Sequence, residues 1–386
     1  MKSEKVKVNN GWKETSLGEV AVFNYGKGLP TENRKAGGVP VYGSSGITGF
    51  HSEALIDEPG YIIGRKGTVG SIHYSNKPFY PIDTVYYLTK QDIKCDFRFF
   101  YYLLQTLGLD KLNFDSAVPG LNRETAYSLR ITIPATESEQ KAIAAVLSSF
   151  DDKIELLRRQ NKTLESIAQT IFKEWFVNFT VKGEKLKVNP KTGLPEGWRQ
   201  KGLDEIADFL NGLAMQKYPP ENEVDVLPVI KIRELKSGIT GQTDKASKKI
   251  APEYIVDNGD VLFSWSGSLD VVLWCYGKGA LNQHLFKVTS KKYPKWFYYF
   301  WILEHLPFFR SIAQTKATTM GHIQRHHLSE SLAAIPDSDF MTFADSKISP
   351  VFEHIISNNS QIQTLSKLRD TLLPKLMKGE IRVKDF

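Results

Sequence analysis

The chain states one pattern twice. Residues 11–26 read GWKETSLGEVAVFNYG and residues 197–212 read GWRQKGLDEIADFLNG. At a constant offset of 186, Gly11, Trp12, Leu17, Glu19, Ala21, Phe23 and Gly26 fall on Gly197, Trp198, Leu203, Glu205, Ala207, Phe209 and Gly212. The echo returns in FYY (100–102 against 297–299) and in Ile133-Pro134 against Ile335-Pro336. Solenoid units run only ~20–50 residues, so a period near half the chain excludes that class. The pattern predicts two copies of one domain-plus-helix unit, related by a pseudo-two-fold axis.

Each half has the same internal order. The opening motif leads into Gly- and Pro-punctuated β-type runs such as Tyr61-Ile62-Ile63, 84–88, 260–263 and 271–274. Runs of this length, rich in β-branched and aromatic residues, predict a twisted sheet. A short aromatic helix follows (97–107; 294–305), then a basic loop, Ile-Pro and a long helix. The offset grows from 186 to about 201 between the opening motif and the helices, so the sheet region of copy two holds ~15 extra residues. A matched frame with divergent loops is how related binding domains come to recognise different things.

The long helices are expected near 137–177 and 340–377. Ile154, Leu157, Leu164, Ala168, Ile171 and Trp175 alternate at three and four residues, with Asn161 as the polar seam position. Ile355, Ile362, Leu365, Leu372 and Leu376 give a second seam. Such stripes bury against another helix. Thr136/Glu139, resembling a capping box, and Ser338/Met341 mark the starts. Because the first helix delivers the chain to the second domain, the pair is expected to run antiparallel, each helix roughly 60 Å long. The expected fold class is α+β: two α/β domains joined by two long antiparallel helices. The boundaries fall at 1–135 (first domain), 136–180 (first helix), 181–336 (second domain) and 337–386 (second helix and tail).

Composition excludes several classes. No apolar run approaches the ~18–20 residues of a membrane span. The start MKSEKVKVNN lacks a signal-peptide core, and Cys95 and Cys275 are too few for a disulfide framework. A cytoplasmic protein without membrane association is expected. The net charge of +7 splits into +4 before residue 197 and +3 after it. That surplus is compatible with nucleic acid.

Several motifs then carry a family resemblance. The run EQKAIAAVLSSFDDKIELLRRQNKTLESIAQTIFKEWF (139–176), AVPGLNRET (117–125), LPEGW (194–198) and LLPKLMKGEIRV (372–383) resemble the helical regions and loops of type I restriction–modification specificity (S) subunits. The resemblance spans essentially the whole chain. Copy two departs from it: TTMGHIQRHH (318–327) stands where VPGLNRET would, and no EQ pair opens its helix. The resemblance implies a non-catalytic subunit whose two target-recognition domains read the halves of a bipartite site in double-stranded DNA. It further implies that the helices set the spacer and dock two methyltransferase (M) subunits. Two restriction/translocase (R) subunits would complete the complex. No cofactor is expected on this chain: S-adenosylmethionine would belong to M, ATP and magnesium to R.

The residues agree with that reading. In copy one, the loops 42–50, 64–71 and 118–125 combine Gly, which lets backbone approach closely, with side chains that reach phosphates and base edges. Ser44, Ser45, Arg65, Lys66, Thr68, Asn122 and Arg123 are the DNA-binding candidates there. In copy two they are Lys231, Arg233, Ser264, Ser266, Gln283, His284, Thr318, Thr319, Gln324 and Arg325. No catalytic residue and no metal site is expected. GRKGTVG is not a P-loop, and an Asn-Pro-Pro-aromatic methyltransferase motif is missing. Pro336-Asp337 with Asp345-Ser346-Lys347 imitates a nuclease signature, but on a predicted helix and without a counterpart in copy one. His322, His326 and His327 lack an evident third zinc ligand. The aromatic clusters at 97–102 and 296–301 read as core. The rival readings are a coiled-coil scaffold for protein partners and a stand-alone nuclease or DNA-binding protein.

Overall fold

The computed structural model describes residues 8, 9, 11–112, 120–315 and 321–383. Its contacts divide the chain into two units, 1–153 with 366–386, and 154–365.

In the first unit, strand Trp12–Ser16 pairs antiparallel with Arg130–Pro134, Ser16 opposite Arg130. A four-stranded sheet follows in the order Asn24–Tyr25, Val85–Thr89, Gly60–Gly64, Ile72–Ser75. A smaller sheet pairs Val39–Gly43 with the hairpin strand Gly46–His51 and, in parallel, with Tyr80–Pro81. Every residue of Gly60–Gly64 is buried, so this strand reads as a continuous apolar run rather than an alternating one. Helix Phe97–Thr106, capped by Asp96, packs Phe99, Phe100 and Tyr102 into the core.

The second unit rebuilds the same frame. Arg199–Gly202 pairs with Leu332–Ile335. The four-stranded sheet runs Asp208–Asn211, Leu285–Thr289, Val261–Ser264, Asp270–Leu273. The register is preserved as well: Tyr61 faces Leu88 and Ile63 faces Tyr86 in one copy, Val261 faces Val288 and Phe263 faces Phe286 in the other. Most of the extra residues of copy two enter between Val226–Ile230 and Lys245–Ser247, where a connection containing helix Ile232–Ser237 replaces the two-residue turn between Val39–Gly43 and Gly46–His51. Its aromatic helix extends to Lys295–Thr315, burying Trp296, Phe297, Phe300 and Trp301. Most of both aromatic clusters is core, as expected, with Phe97, Tyr101 and Tyr299 half-buried.

The repeated Glu of the opening motif has a local cause. Glu19 accepts from the backbone N–H of Ser16 at 2.9 Å and from Thr15 Oγ1 at 2.6 Å, closing the first turn of Leu17–Val20. Glu205 accepts from Gly202 N–H at 2.9 Å ahead of Leu203–Ile206. The Thr15 hydrogen bond, then the Ser16 N–H, holds the Glu19 carboxyl below its ordinary range, and the Gly202 N–H does the same for Glu205.

The long helices are Glu137–Phe172, which relaxes into a π-turn over Lys173–Val177, and Ser338–Met377. In the first unit, Arg382 meets Glu139 at 2.9 Å and Arg369 meets Asp151 at 2.6 Å. In the second, Ile154 and Leu157 cluster with Ile362 and Leu365, and Trp175 stacks on Phe343 at 5.3 Å. Within each unit the partner numbers fall as the first helix ascends, so the two helices run antiparallel. Among the seam residues Ile154, Leu157, Asn161, Ile355, Ile362 and Leu376 are buried; Leu164, Ile171, Trp175, Leu365 and Leu372 are half-buried.

The helix starts differ from expectation. Thr136 Oγ1 accepts from Glu139 N–H at 3.4 Å, but the Glu139 carboxylate turns to Arg382, so only half of the capping box forms. At the second helix it is Asp337 that caps, accepting from Phe340 N–H at 2.8 Å. Asp345, the acid of the nuclease-like string, accepts from Trp296 Nε1 at 2.8 Å and Ser349 Oγ at 2.5 Å. It is a packing residue.

Candidate nucleic-acid interface

In copy one, the turn after Gly60–Gly64 lies beside the segment that begins at Gly120. Lys66 bridges Gly120, and Leu121 N–H donates to the Arg65 carbonyl at 2.8 Å. Tyr86 Oη donates to the Leu121 carbonyl at 3.0 Å, and burial, ahead of the neighbouring Tyr25, raises that phenol's pKa. Between these segments opens a cleft of about 430 Å³, lined by Tyr25, Arg65, Lys66, Tyr86, Asn122 and Arg123 among others.

Its electrostatics are set around one ring. The Arg65 guanidinium stands 5.3 Å from the centroid of Tyr25 and that of Arg123 stands 5.2 Å from it. Arg65 is held further by two donations to the Asp83 carbonyl, at 3.2 and 2.6 Å. Tyr25 is itself 51% exposed. The ring face attracts both cations, but two guanidiniums on one ring repel each other, and Lys66 adds exposed charge. An anion or a guanine edge between them relieves that repulsion.

Copy two repeats both of these backbone contacts. Ser266 bridges His322, and Ile323 N–H donates to the Trp265 carbonyl at 3.0 Å. The match places Trp265 on Arg65, Gln324 on Asn122 and Arg325 on Arg123, while the opening motif places Asn211 on Tyr25. Within the altered string, His322, Ile323, Gln324 and Arg325 therefore occupy the structural positions of Gly120, Leu121, Asn122 and Arg123. Here a cleft of about 200 Å³ is lined by Asn211, Trp265, Phe286, Ile323, Gln324 and Arg325, with Leu328. Trp265 Nε1 donates to Asn211 Oδ1 at 3.0 Å, fixing the indole, and Gln324 and Arg325 are exposed. The first cleft carries three cationic side chains and one carboxylate, Glu124, 3.6 Å from Arg123; the other offers an aromatic face, amides and a single arginine.

The structure gathers some candidates and redirects others. Arg65, Lys66, Asn122 and Arg123 converge on the first cleft, Gln324 and Arg325 on the second. Asn122 carries a second duty, because its Oδ1 accepts from Glu124 N–H at 2.8 Å and Thr125 N–H at 3.1 Å. It caps a helix over Arg123–Tyr127 where a simple turn was expected. A bidentate pairing of Asn122 with adenine would need that oxygen, so such a contact is unavailable while the cap holds. Ser264 is wholly buried, donating within its own turn to the Ser266 and Ser268 carbonyls, and so cannot reach a ligand. Ser266 is buried against His284 at 3.0 Å, and His284 neighbours Gln283.

Lys231 is paired with Asp244, and Arg233 with the buried carboxylate of Glu234 at 2.8 Å; neither lines the second cleft. Ser44 and Ser45 form the tip of the 39–51 hairpin, the Ser44 carbonyl accepting from Ser71 Oγ. Thr68 is exposed in the turn beyond Lys66. Thr318 and Thr319 lie outside the described residues. His326, His327 and Glu330 do stand close enough to suggest a cation site. However, His327 Nδ1 accepts from Gln324 N–H at 3.0 Å, which leaves the neutral ring's proton on Nε2 and no lone pair for a metal.

Sequence reasoning passed over Tyr25, Tyr86, Asn211 and Trp265, which build the cleft walls. Tyr25 and Asn211 end the aligned opening motif, immediately before Gly26 and Gly212, so the repeat itself held the signal.

The chain matches the family described as type I restriction modification DNA specificity domain twice, over residues 9–166 and 195–362. The type I restriction enzyme MjaIX specificity subunit of Methanocaldococcus jannaschii is 29% identical over 306 residues, covering 75% of this chain and 70% of the relative. The HindI specificity subunit of Haemophilus influenzae is 22% identical over 329 residues, covering 68% and 71%. The crystal structure of a type I restriction-modification S subunit from M. genitalium shares the fold, with a TM-score of 0.60 at 15% identity and 99% of each chain covered. The chain belongs to the type I restriction–modification DNA specificity family, and carries that family's domain once in each half.

Proposed function

We propose that this chain reads a bipartite target in double-stranded DNA, one cleft to each half, and has no catalytic activity of its own. The observation that carries this reading is the pair of equivalent clefts: the same backbone frame presents Tyr25, Arg65, Asn122 and Arg123 in one copy and Asn211, Trp265, Gln324 and Arg325 in the other. Conserved frame with exchanged side chains is the design of two readers with different targets. Arginines near phosphates supply salt-dependent affinity, and base-edge contacts supply choice. The long helices fix the spacer and carry two methyltransferase subunits, which bring S-adenosylmethionine. Two motor–nuclease subunits, using ATP and magnesium, complete the complex in the cytoplasm.

Selection from a random duplex library, with the methyltransferase subunit present, tests this reading. The bound fraction is expected to show two short invariant segments separated by a spacer of fixed length, with affinity falling steeply as salt rises. A single uninterrupted motif, or no enrichment, overturns it. The rival protein scaffold predicts the second result.

A further inference from the structure

Copy one carries a second concave site. A groove of about 270 Å³ opens where helix Phe97–Thr106 lies beside the start of the long helix. Its walls include the rings of Tyr61, Tyr74, Phe97 and Tyr101 and the carboxylates of Asp151 and Asp152. Tyr61 stacks on Phe97 at 4.3 Å and on Tyr101 at 5.5 Å, and Tyr74, 47% exposed, stands 5.4 Å from Tyr61.

The two aspartates differ. Asp151 accepts from Tyr102 Oη at 2.7 Å and from Arg369 at 2.6 Å. Asp152 is exposed and, among the described residues, has no ion-pair or hydrogen-bond partner. Arg98, the basic side chain on this rim, lies 3.5 Å from Ser148 Oγ and pairs with neither aspartate.

At matched positions copy two keeps one ring (Tyr298 for Tyr101) and an exposed carboxylate (Glu353 for Asp152), but loses the strand pair of tyrosines and Asp151. Val261 and Leu273 form the cross-strand pair that Tyr61 and Tyr74 form in copy one. Phe352 packs on Tyr299 at 5.2 Å where Asp151 bonds Tyr102. Ring faces and an unpaired carboxylate both favour a cation, and both repel phosphate.

We propose that this groove receives an arginine or lysine side chain presented by the methyltransferase subunit, making copy one's contact with that partner unlike copy two's. The proposal rests on the assembly reading given above and adds to it the place and the chemistry of one contact. Asp152 supplies the charge, and Tyr74, with Tyr61 behind it, supplies the ring face.

The test is the affinity of the full chain for the methyltransferase subunit encoded with it, measured by calorimetry on purified proteins. Asp152→Asn and Tyr74→Ala should each weaken binding about tenfold. Asp152→Glu and Tyr74→Phe should retain most of it. Both altered positions are exposed, so melting temperatures should not move, and the DNA target sequence should stay the same. Unchanged affinity in the Asn and Ala variants overturns the groove while leaving assembly intact. A loss that tracks a lowered melting temperature, or appears in DNA binding instead, also overturns it. Absence of binding by the unaltered chain overturns the assembly reading and the groove with it.

Discussion

Asn122 shows how one side chain divides between fold and function. Its oxygen closes the first turn of the 123–127 helix, and its position on the cleft lip leaves the amide group as the available donor. Removing the cap should cost about 1 kcal/mol. Asn122→Ala is therefore expected to lower the melting temperature by several degrees, whereas Asn122→Asp, which still caps, should leave it near the parent value. The aspartate should nevertheless weaken DNA binding, because it places a negative charge beside Arg123 at the cleft. Thermal unfolding together with binding titrations reads the two effects separately. At this scale the sequence showed residue chemistry but not residue orientation. Arg65 and Arg123 were legible as cations in Gly-rich loops. The commitment of Arg233 to Glu234 and the burial of Ser264 depend on contacts that no local pattern encodes. Tyr25 and Trp265 escaped because aromatics near β-runs more often fill cores.

Among the elements, the antiparallel helix pair was the most legible, since its three- and four-residue spacing is a local signal. The polar layer inside it was half legible. Asn161 stood out in its seam, but its partner was hidden in the gap between Ile355 and Ile362. Asn358 Nδ2 donates to Asn161 Oδ1 at 2.9 Å, and Asn161 Nδ2 donates to Asn359 Oδ1 at 2.8 Å. Asn161 and Asn358 are 6% and 2% exposed. In another register each amide would face leucine or isoleucine, so the layer holds the helices in one alignment. Asn161→Leu alone should destabilise the protein by ~1–3 kcal/mol, because it strands the Asn358 amide. Asn161→Leu with Asn358→Leu should recover much of that loss. A double-mutant cycle by chemical denaturation measures the coupling, and additive losses would show that the two amides do not act as a pair. The π-turn at Lys173–Val177 and the turn helix at Arg123–Tyr127 were not foreseen, being set by tertiary packing rather than by periodicity.

For the whole molecule, the repeat was the decisive signal, and it extends further than residue identity. The strand order and register of the four-stranded sheet, and the cleft beside it, are each built twice, even where Gly-Leu-Asn-Arg (120–123) has become His-Ile-Gln-Arg (322–325). Identity fades there because side chains that line the cleft can change while the backbone hydrogen bonds that hold the loop stay the same. Leu121 to Arg65 in one copy and Ile323 to Trp265 in the other use only main-chain atoms. That is why the correspondence emerged from the structure and not from the letters. The central claim is that each cleft reads its own half-site. It is tested most directly by mapping methylation genome-wide in cells carrying the system with Arg123→Ala or with Arg325→Ala. Each bidentate arginine contact is worth ~1–3 kcal/mol of base discrimination. Arg123→Ala is predicted to relax one half-site and leave the other intact, and Arg325→Ala to do the converse, with the spacer unchanged in both. Relaxation of the same half-site by both variants, or unaltered recognition in either, would contradict the account.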